Sequence, residues 1–422
     1  MAIEGPTGGF PLPPPSKVGI RVILSDPAVR IVIIVVFVVM LGFGIVLPIL
    51  PRYARSFGVG YGPAGLLVSA YAFARLVVDP VSGPIVDRLG ERVAAAVGVF
   101  IVGVSAVLTG LAPNFALAVV FRGAGGAGSA MLFTALTSYL LKVVPKDRMG
   151  RTLGLFYGSF NVGVIAGAPV GGAIADAFGL AAPLYFYAGL LFVAGGMYLR
   201  LVSDPKVPDS EQDEAADAEA ARTAGARALL GRREFVTAIF LNFAYLWMIG
   251  AAFDTLVPLF GGDGLGMSNR GIGVIFAISL VGELAVLYPA GSVMDRRGRR
   301  FVAVPSMAAL GVMVAVLGLA GGPVAYGALM LAMGFASGVA GTPAGAMLSD
   351  IAPPGRSGTA VGIFRFAGDI GITLGPLTAG VAVSALGFRW AFLLAAIPMF
   401  AAAAVALRTP ETLELRPATG TL

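Results

Sequence analysis

A charged ten-residue stretch occurs twice in this chain, each time between two long apolar runs. Gly83 to Arg92 reads GPIVDRLGER and Gly291 to Arg300 reads GSVMDRRGRR. Asp87 and Asp295 lie 208 positions apart (295 − 87), and Gly83/Gly291, Arg88/Arg296, Gly90/Gly298 and Arg92/Arg300 keep that offset. The register persists downstream, where Pro145, Arg148, Gly154, Gly163, Gly167 and Gly171 fall onto Pro353, Arg356, Gly362, Gly371, Gly375 and Ala379. A polar turn used once in each half, with no insertion needed between the copies, marks a duplicated unit.

The runs beside these turns are too long and too apolar for a water-soluble core. Only 12% of the residues are charged, about half the roughly 25% of a soluble domain, and the mean hydropathy is +0.89. A hydrocarbon core about 30 Å thick needs about 20 apolar residues per helical span, and twelve such runs can be laid out along the chain. Their apolar character is continuous rather than alternating, so the backbone is satisfied within helices and not in a closed barrel. The expected fold class is an all-α integral membrane protein.

Lys and Arg are distributed unevenly among the connecting segments. With the N-terminus placed inside the cell, twenty-two fall on cytoplasmic segments and four (Arg52, Arg55, Arg270, Arg389) on external ones. That asymmetry orients the chain with both termini cytoplasmic. It also explains the net charge of +6 without a nucleic-acid partner. The expected organisation is a cytoplasmic tail over 1–28, a six-helix bundle over 29–200, a cytoplasmic linker over 201–234, a second six-helix bundle over 235–407 and a cytoplasmic tail over 408–422. The linker holds an acidic cluster (209–219) and an Ala-, Glu- and Arg-rich composition that favours a surface helix.

Cys and His are both absent. Disulfides and thiolate metal sites are therefore excluded, and proton handling falls to carboxylates, the usual neutral-pH titrating side chain being missing. No Ser-His-Asp set, HExxH, Walker A or metal-ligand cluster occurs, so an enzyme is not expected, nor any cofactor or metal. A membrane-embedded sensor is disfavoured by the lack of a large soluble region.

Seven charges sit inside the spans: Arg75, Asp79, Arg122, Asp254, Glu283, Arg365 and Asp369. Each costs about 2.5–3.5 kcal/mol at mid-membrane on insertion scales, which marks them as candidates for function. Arg75 and Asp79 are one turn apart, as are Arg365 and Asp369, so each pair shares a helix face. A rise of about 1.5 Å per residue puts Asp79 and Arg365 at roughly 8 and 10 Å depth, and Arg75 and Asp369 at roughly 14 and 16 Å. The charge signs are crossed at matching depths.

These features together resemble the major facilitator superfamily, whose loop motif is G-x-x-x-D-R/K-x-G-R-R/K. Gly291, Asp295, Arg296, Gly298, Arg299 and Arg300 fit it throughout; Gly83, Asp87, Arg88, Gly90 and Arg92 fit it, with Glu91 where a basic residue is usual. Span four carries Arg122 before Gly126, similar to the family's R-x-x-Q-G with Gly125 in place of the Gln. Span five carries Gly154, Gly163, Gly167 and Gly171, and span eleven Gly362, Gly371, Gly375 and Pro376. These glycine patterns are similar to the antiporter motif of the drug–proton antiporters, the subgroup that includes the vesicular amine transporters.

The resemblance implies two pseudo-symmetric six-helix bundles whose spans two and eleven, and five and eight, face each other. It implies crossed gate pairs, Arg75–Asp369 and Asp79–Arg365, closing the cytoplasmic side; self-neutralisation of each pair along its own helix is the competing reading. It places Asp87 against the N-terminus of span eleven near Ser357–Thr359, and gives Arg122 a part in proton release. Glu283, the symmetry mate of Arg75, is the first candidate for proton coupling, since desolvation of an unpaired carboxylate favours its neutral form; Asp369 and Asp254 follow. A structural carboxylate facing Tyr157 or Asn161 is the alternative. Small residues every fourth position let helices approach closely, either as plain packing or as smooth surfaces that slide when the halves rock.

The expected function is alternating access, as proton-coupled efflux of a small amphipathic molecule, cations included, by a monomer in the cell membrane. A proton symporter or a facilitated-diffusion carrier is the alternative. Substrate identity is not legible.

Overall fold

Asp26 opens the first span. Its carboxylate accepts from the N–H groups of Ala28 and Val29 at 2.8 and 3.4 Å, and Pro27 occupies the first helical position, where no donor is needed. From here a computed structural model describes residues 24–145, 148–203, 229–351 and 357–413. The twelve spans are α1 Pro27–Val46, α2 Tyr61–Leu89, α3 Glu91–Gly110, α4 Phe115–Val143, α5 Arg151–Phe178 and α6 Ala182–Leu201, followed by α7 Arg233–Gly264, α8 Asn269–Arg297, α9 Arg299–Leu317, α10 Pro323–Ile351, α11 Ala360–Leu386 and α12 Phe388–Leu407. No strand occurs among the described residues. The tail, linker and C-terminal expectations fall largely on residues 1–23, 204–228 and 414–422, outside the described residues.

Helices α1–α6 pack on one another, as do α7–α12, and the halves meet mainly through α2 with α11 and α5 with α8. Two close approaches make these seams. Gly65 of α2 lies against the Pro376 carbonyl of α11, and Gly273 of α8 lies against the Ala168 carbonyl of α5. Both residues of the first contact map onto the second at the repeat offset.

The charged stretches prove shorter as turns than expected. Helix α2 runs to Leu89 and α3 starts at Glu91, so Gly90 alone reverses the chain; Gly298 does the same between α8 and α9. Their φ values of +78° and +104° suit glycine, which has no Cβ to clash. The charges therefore ride on the last turn of one helix and the first turn of the next. The end of the bundle carrying these turns is called the basic face below, and the other end the far face.

The glycine motif packs helices within each half. Gly163, Gly167 and Gly171 of α5 face the α1 carbonyls of Phe37, Leu41 and Ile45, and Gly371 and Gly375 of α11 face Phe243 and Trp247 of α7. Gly154 and Gly362 face open space. Gly171→Val would drive a branched side chain into the α1 backbone. Overpacking of that kind costs about 1–3 kcal/mol, and a lowered Tm of the purified protein is the expected result, whereas Gly154→Val should melt like wild type.

Candidate functional site

Polar contacts between the halves form three layers. At the far face, the Asp176 carboxylate at the end of α5 accepts from the backbone N–H groups of Asn269 and Arg270 (3.0 and 2.8 Å) and from Asn269 Nδ2 (2.8 Å). It thus caps the N-terminus of α8 across the seam, where unsatisfied N–H groups attract an anion. Arg52 donates to Asn269 Oδ1. The symmetry mates do the same with a neutral group: Ser384 Oγ at the end of α11 accepts from Gly62 N at the start of α2, 3.1 Å. Arg55 and Asp263 add an ion pair at 3.5 Å. This face is sealed.

Midway along α2, Ser69 Oγ donates to the Thr373 carbonyl of α11 (2.6 Å), and Arg75 Nη2 lies 2.5 Å from Asp369 Oδ1. The expected Arg75–Asp369 pair across the seam is present, with Asp369 buried. The second expected pair is not. Asp79 Oδ2 instead lies 3.8 Å from Arg75 Nε, one turn away on the same helix. On the basic side of Asp369 lies a cavity of about 180 Å³ that both Asp79 and Arg365 line, along with Phe133, Phe156, Tyr157 and Phe160. Asp79 and Arg365 share this cavity without forming an ion pair. Polar contacts thus join the halves at the far face and at mid-height, and the cavity lies on the basic side of them.

Arg122 and Asp254, one from each half, are buried charges with no ion-pair partner within 4 Å among the described residues. Both are buried, at 3% and 6% exposure. Arg122 Nε and Asp254 Oδ1 have no hydrogen-bond partner, although each lies within electrostatic range of the other. The Arg122 guanidinium rests 4.3 Å from the centre of the Tyr71 ring, a cation–π contact. Asp254 sits in a π-helical stretch, Ile249–Leu256. Thr255 Oγ1 donates to the Gly250 carbonyl at 2.8 Å, and Pro258 has no N–H to bond the Asp254 carbonyl, so the α-helical ladder is interrupted here.

Glu283 of α8 is not the unpaired carboxylate expected, and its partners are not Tyr157 or Asn161, the two named in the alternative reading. Its oxygens accept from Tyr245 Oη of α7 and Ser337 Oγ of α10, each at 3.2 Å. Tyr245 and Ser337 also lie 3.2 Å from one another. The carboxyl thus belongs to a hydroxyl cluster inside the second half, because α7 and α10 flank α8 there. Tyr245 and Ser337 carry no signal in the sequence that would have singled them out.

At the basic face the departure at Glu91 is explained. Glu91 is buried and pairs with Lys142 of α4, with Ser138 Oγ donating to it at 2.9 Å. In the other half Arg299 Nε pairs with Asp350 of α10 at 2.9 Å, and Arg299 Nη1 with Asp295 at 2.6 Å. Glu91 and Arg299 are mates in the repeat, and so are Lys142 and Asp350. The same ion pair is built twice with its charges exchanged. The expected contact of Asp87 with Ser357–Thr359 falls on side chains outside the described residues; Asp87 itself is exposed.

Twelve spans in two symmetric halves, with charges buried between them, define a multi-pass membrane protein of the secondary-transporter class. The Major Facilitator Superfamily profile matches residues 32–271 and 262–421, and the chain belongs to that family. It is 26% identical over 254 residues to the quinolone resistance protein NorA of Staphylococcus aureus (strain Mu50), an alignment covering 60% of this chain and 63% of the relative. An uncharacterised MFS-type transporter of Methanocaldococcus jannaschii is 24% identical over 85% of this chain and 92% of its own length. The fold is shared with a bacterial homologue of the human lysosomal transporter Spinster in its inward-facing, unoccupied conformation. That likeness has a TM-score of 0.77 and 13% identity, and covers 92% of this chain and 97% of the other. A D-xylose–proton symporter aligns with a TM-score of 0.73 at 18% identity over 91% and 99% of the two chains. Among family subgroups the chain resembles the drug–proton antiporters.

Proposed function

We propose that this transporter exports a small amphipathic molecule, cations included, from the cytoplasm in exchange for protons. The basic face is the cytoplasmic one in this reading, which follows from the Lys and Arg asymmetry. The observation that carries it is that each half buries one charge, Arg122 and Asp254, whose Nε and Oδ1 atoms have no hydrogen-bond partner. A carboxyl taken out of water without donors is costly when ionised, by several kcal/mol. It is accommodated as the neutral acid, or opposite a cation supplied by Arg122 or by a bound substrate. Substrate and proton thereby compete for one charge, which is the requirement for exchange. Glu283, held by two hydroxyls and no cation, is the second proton site, and Arg75–Asp369 is the contact that closes the cytoplasmic side.

The test is a flux assay in proteoliposomes with an imposed pH gradient. The substrate panel is headed by a quinolone, because the Staphylococcus relatives are named for quinolone resistance. Wild type is expected to move substrate against its gradient, with Asp254→Asn reducing gradient-driven flux more than about tenfold, a loss of about 1.4 kcal/mol of coupling. Glu283→Gln is expected to reduce it less. Flux indifferent to the gradient and to both substitutions would overturn the assignment, and flux driven only in the direction of the proton gradient would make the chain a symporter.

A further inference from the structure

The two halves differ most where α9 meets α10. In the first half, α3 and α4 pack along their length, and two glycines allow it. A methyl group at Gly98 would stand 2.6 Å from the Gly128 carbonyl oxygen, and one at Gly128 would stand 2.7 Å from the Ile101 side chain. The mates of Gly98 and Gly128 in the repeat are Ser306 and Ala336. With side chains at both positions α9 and α10 make a far smaller interface. An apolar groove of about 460 Å³ is left along the outer wall between α8, α9 and α10, bounded by Val293, Phe301, Pro305, Ala309 and Ala336. The one hydroxyl on its wall, Ser306 Oγ, is turned to the Ala303 carbonyl at 3.2 Å. The groove cannot satisfy water, and in a bilayer the nearest filler is an acyl chain.

The mouth of the groove is positively charged. Phe301 forms part of its wall, and the Arg297 guanidinium lies 5.3 Å from the centre of that ring. The acidic residues nearby are occupied: Asp295 pairs with Arg299, and Glu411 accepts from the backbone N–H groups of Arg299 and Arg300 at 2.7 and 3.0 Å. Arg297 has no carboxylate partner among the described residues, and Arg296 and Arg300 beside it are exposed. In the first half the mates of Arg297 and Phe301 are Leu89 and Val93. An apolar pocket of about 360 Å³ also opens between α3 and α4, but only the second-half groove has this basic, aromatic mouth.

We propose that this groove is a binding site for an anionic phospholipid of the adjacent leaflet, one acyl chain lying between α8, α9 and α10 and the phosphate held at Arg297. A juxtamembrane arginine contributes about fivefold to the affinity for anionic lipid. The groove supplies the part common to all phospholipids, and the arginine supplies the discrimination between them.

Lipid binding to the full chain in detergent, followed by native mass spectrometry with phosphatidylglycerol against phosphatidylcholine of identical chains, tests the site. Wild type is expected to prefer phosphatidylglycerol about fivefold or more. Arg297→Gln should bind both alike, whereas Arg200→Gln, an exposed arginine at the end of α6, should keep the preference. Ala309→Phe fills the groove from its open edge without touching the core, and should weaken both lipids by the same factor. Equal binding of the two lipids by wild type would overturn the proposal. So would a preference that survives Arg297→Gln or is lost equally in Arg200→Gln, or affinities unchanged by Ala309→Phe.

Discussion

Asp350→Ala is expected to cost about 3–5 kcal/mol, the penalty of leaving one member of a buried ion pair without its partner. Arg299 and Asp350 have side chains only 3% and 1% exposed. Thr412 Oγ1 also donates to Asp350 at 3.3 Å, and Arg299 Nη1 donates to the Met294 carbonyl at 3.2 Å. Removing the carboxylate strands the guanidinium between Asp295 and a carbonyl, in a place water does not reach. The mirrored pair supplies a sharper test. Glu91→Arg alone puts a second cation against Lys142 and should destabilise the first half. Glu91→Arg with Lys142→Asp converts that half to the arrangement of the other and should recover most of the loss. Thermal inactivation of the purified protein reads all three. An Asp350→Ala variant that melts with wild type, or a double variant worse than Glu91→Arg alone, would contradict the exchange of charges.

Asp176→Ala should open the far face. Three N–H donors converge on this carboxylate across the α5–α8 seam, and hydrogen bonds to a charged group are worth about 1.5–3 kcal/mol each. Those bonds join the halves only in the sealed state, so their loss shifts the population towards the state open at that face by tenfold or more, each 1.4 kcal/mol being a factor of ten. Ser384→Ala removes one neutral bond, worth about 0.5–1.5 kcal/mol, and its shift should be the smaller. The chain has no cysteine, which makes the measurement direct. Ser69→Cys places a single thiol behind the seal, at a position 1% exposed, and its labelling by a membrane-impermeant maleimide reports opening. Labelling should accelerate at least tenfold with Asp176→Ala; an unchanged rate would remove the cap from the gate.

Alternating access asks that one set of contacts hold when the other breaks, and here the layers are built with different chemistry. The far face is held by helix capping, in one copy charged and in the other neutral. On the basic side of the seam the ion pair between the halves among the described residues is Arg75–Asp369, with Asp79 and Arg365 lining the cavity instead of pairing. When the halves rock towards closure at the basic face, Asp79 and Arg365 have matching depth and opposite sign, and can join the seal.

Much of this protein was legible as periodicity and offset. Twelve apolar runs, the repeated charged turn and the lean supply of charge determined a two-fold helical membrane bundle, because lipid leaves the backbone no other way to satisfy its hydrogen bonds. The repeat offset also carried more than the motif showed. Lys142 and Asp350 stand at mated positions, so the compensation for Glu91 was present in the sequence as a charge exchange. The identity of hydrogen-bond partners was not legible. Glu283 meets Tyr245 and Ser337, Asp176 meets the start of α8, and Asp79 misses Arg365. A side chain's partner depends on the angle and separation of helices distant in sequence, and these follow from which small residues let two backbones touch. Gly98 and Gly128 close one seam, while Ser306 and Ala336 hold its mate apart; only the assembled bundle shows the groove that results.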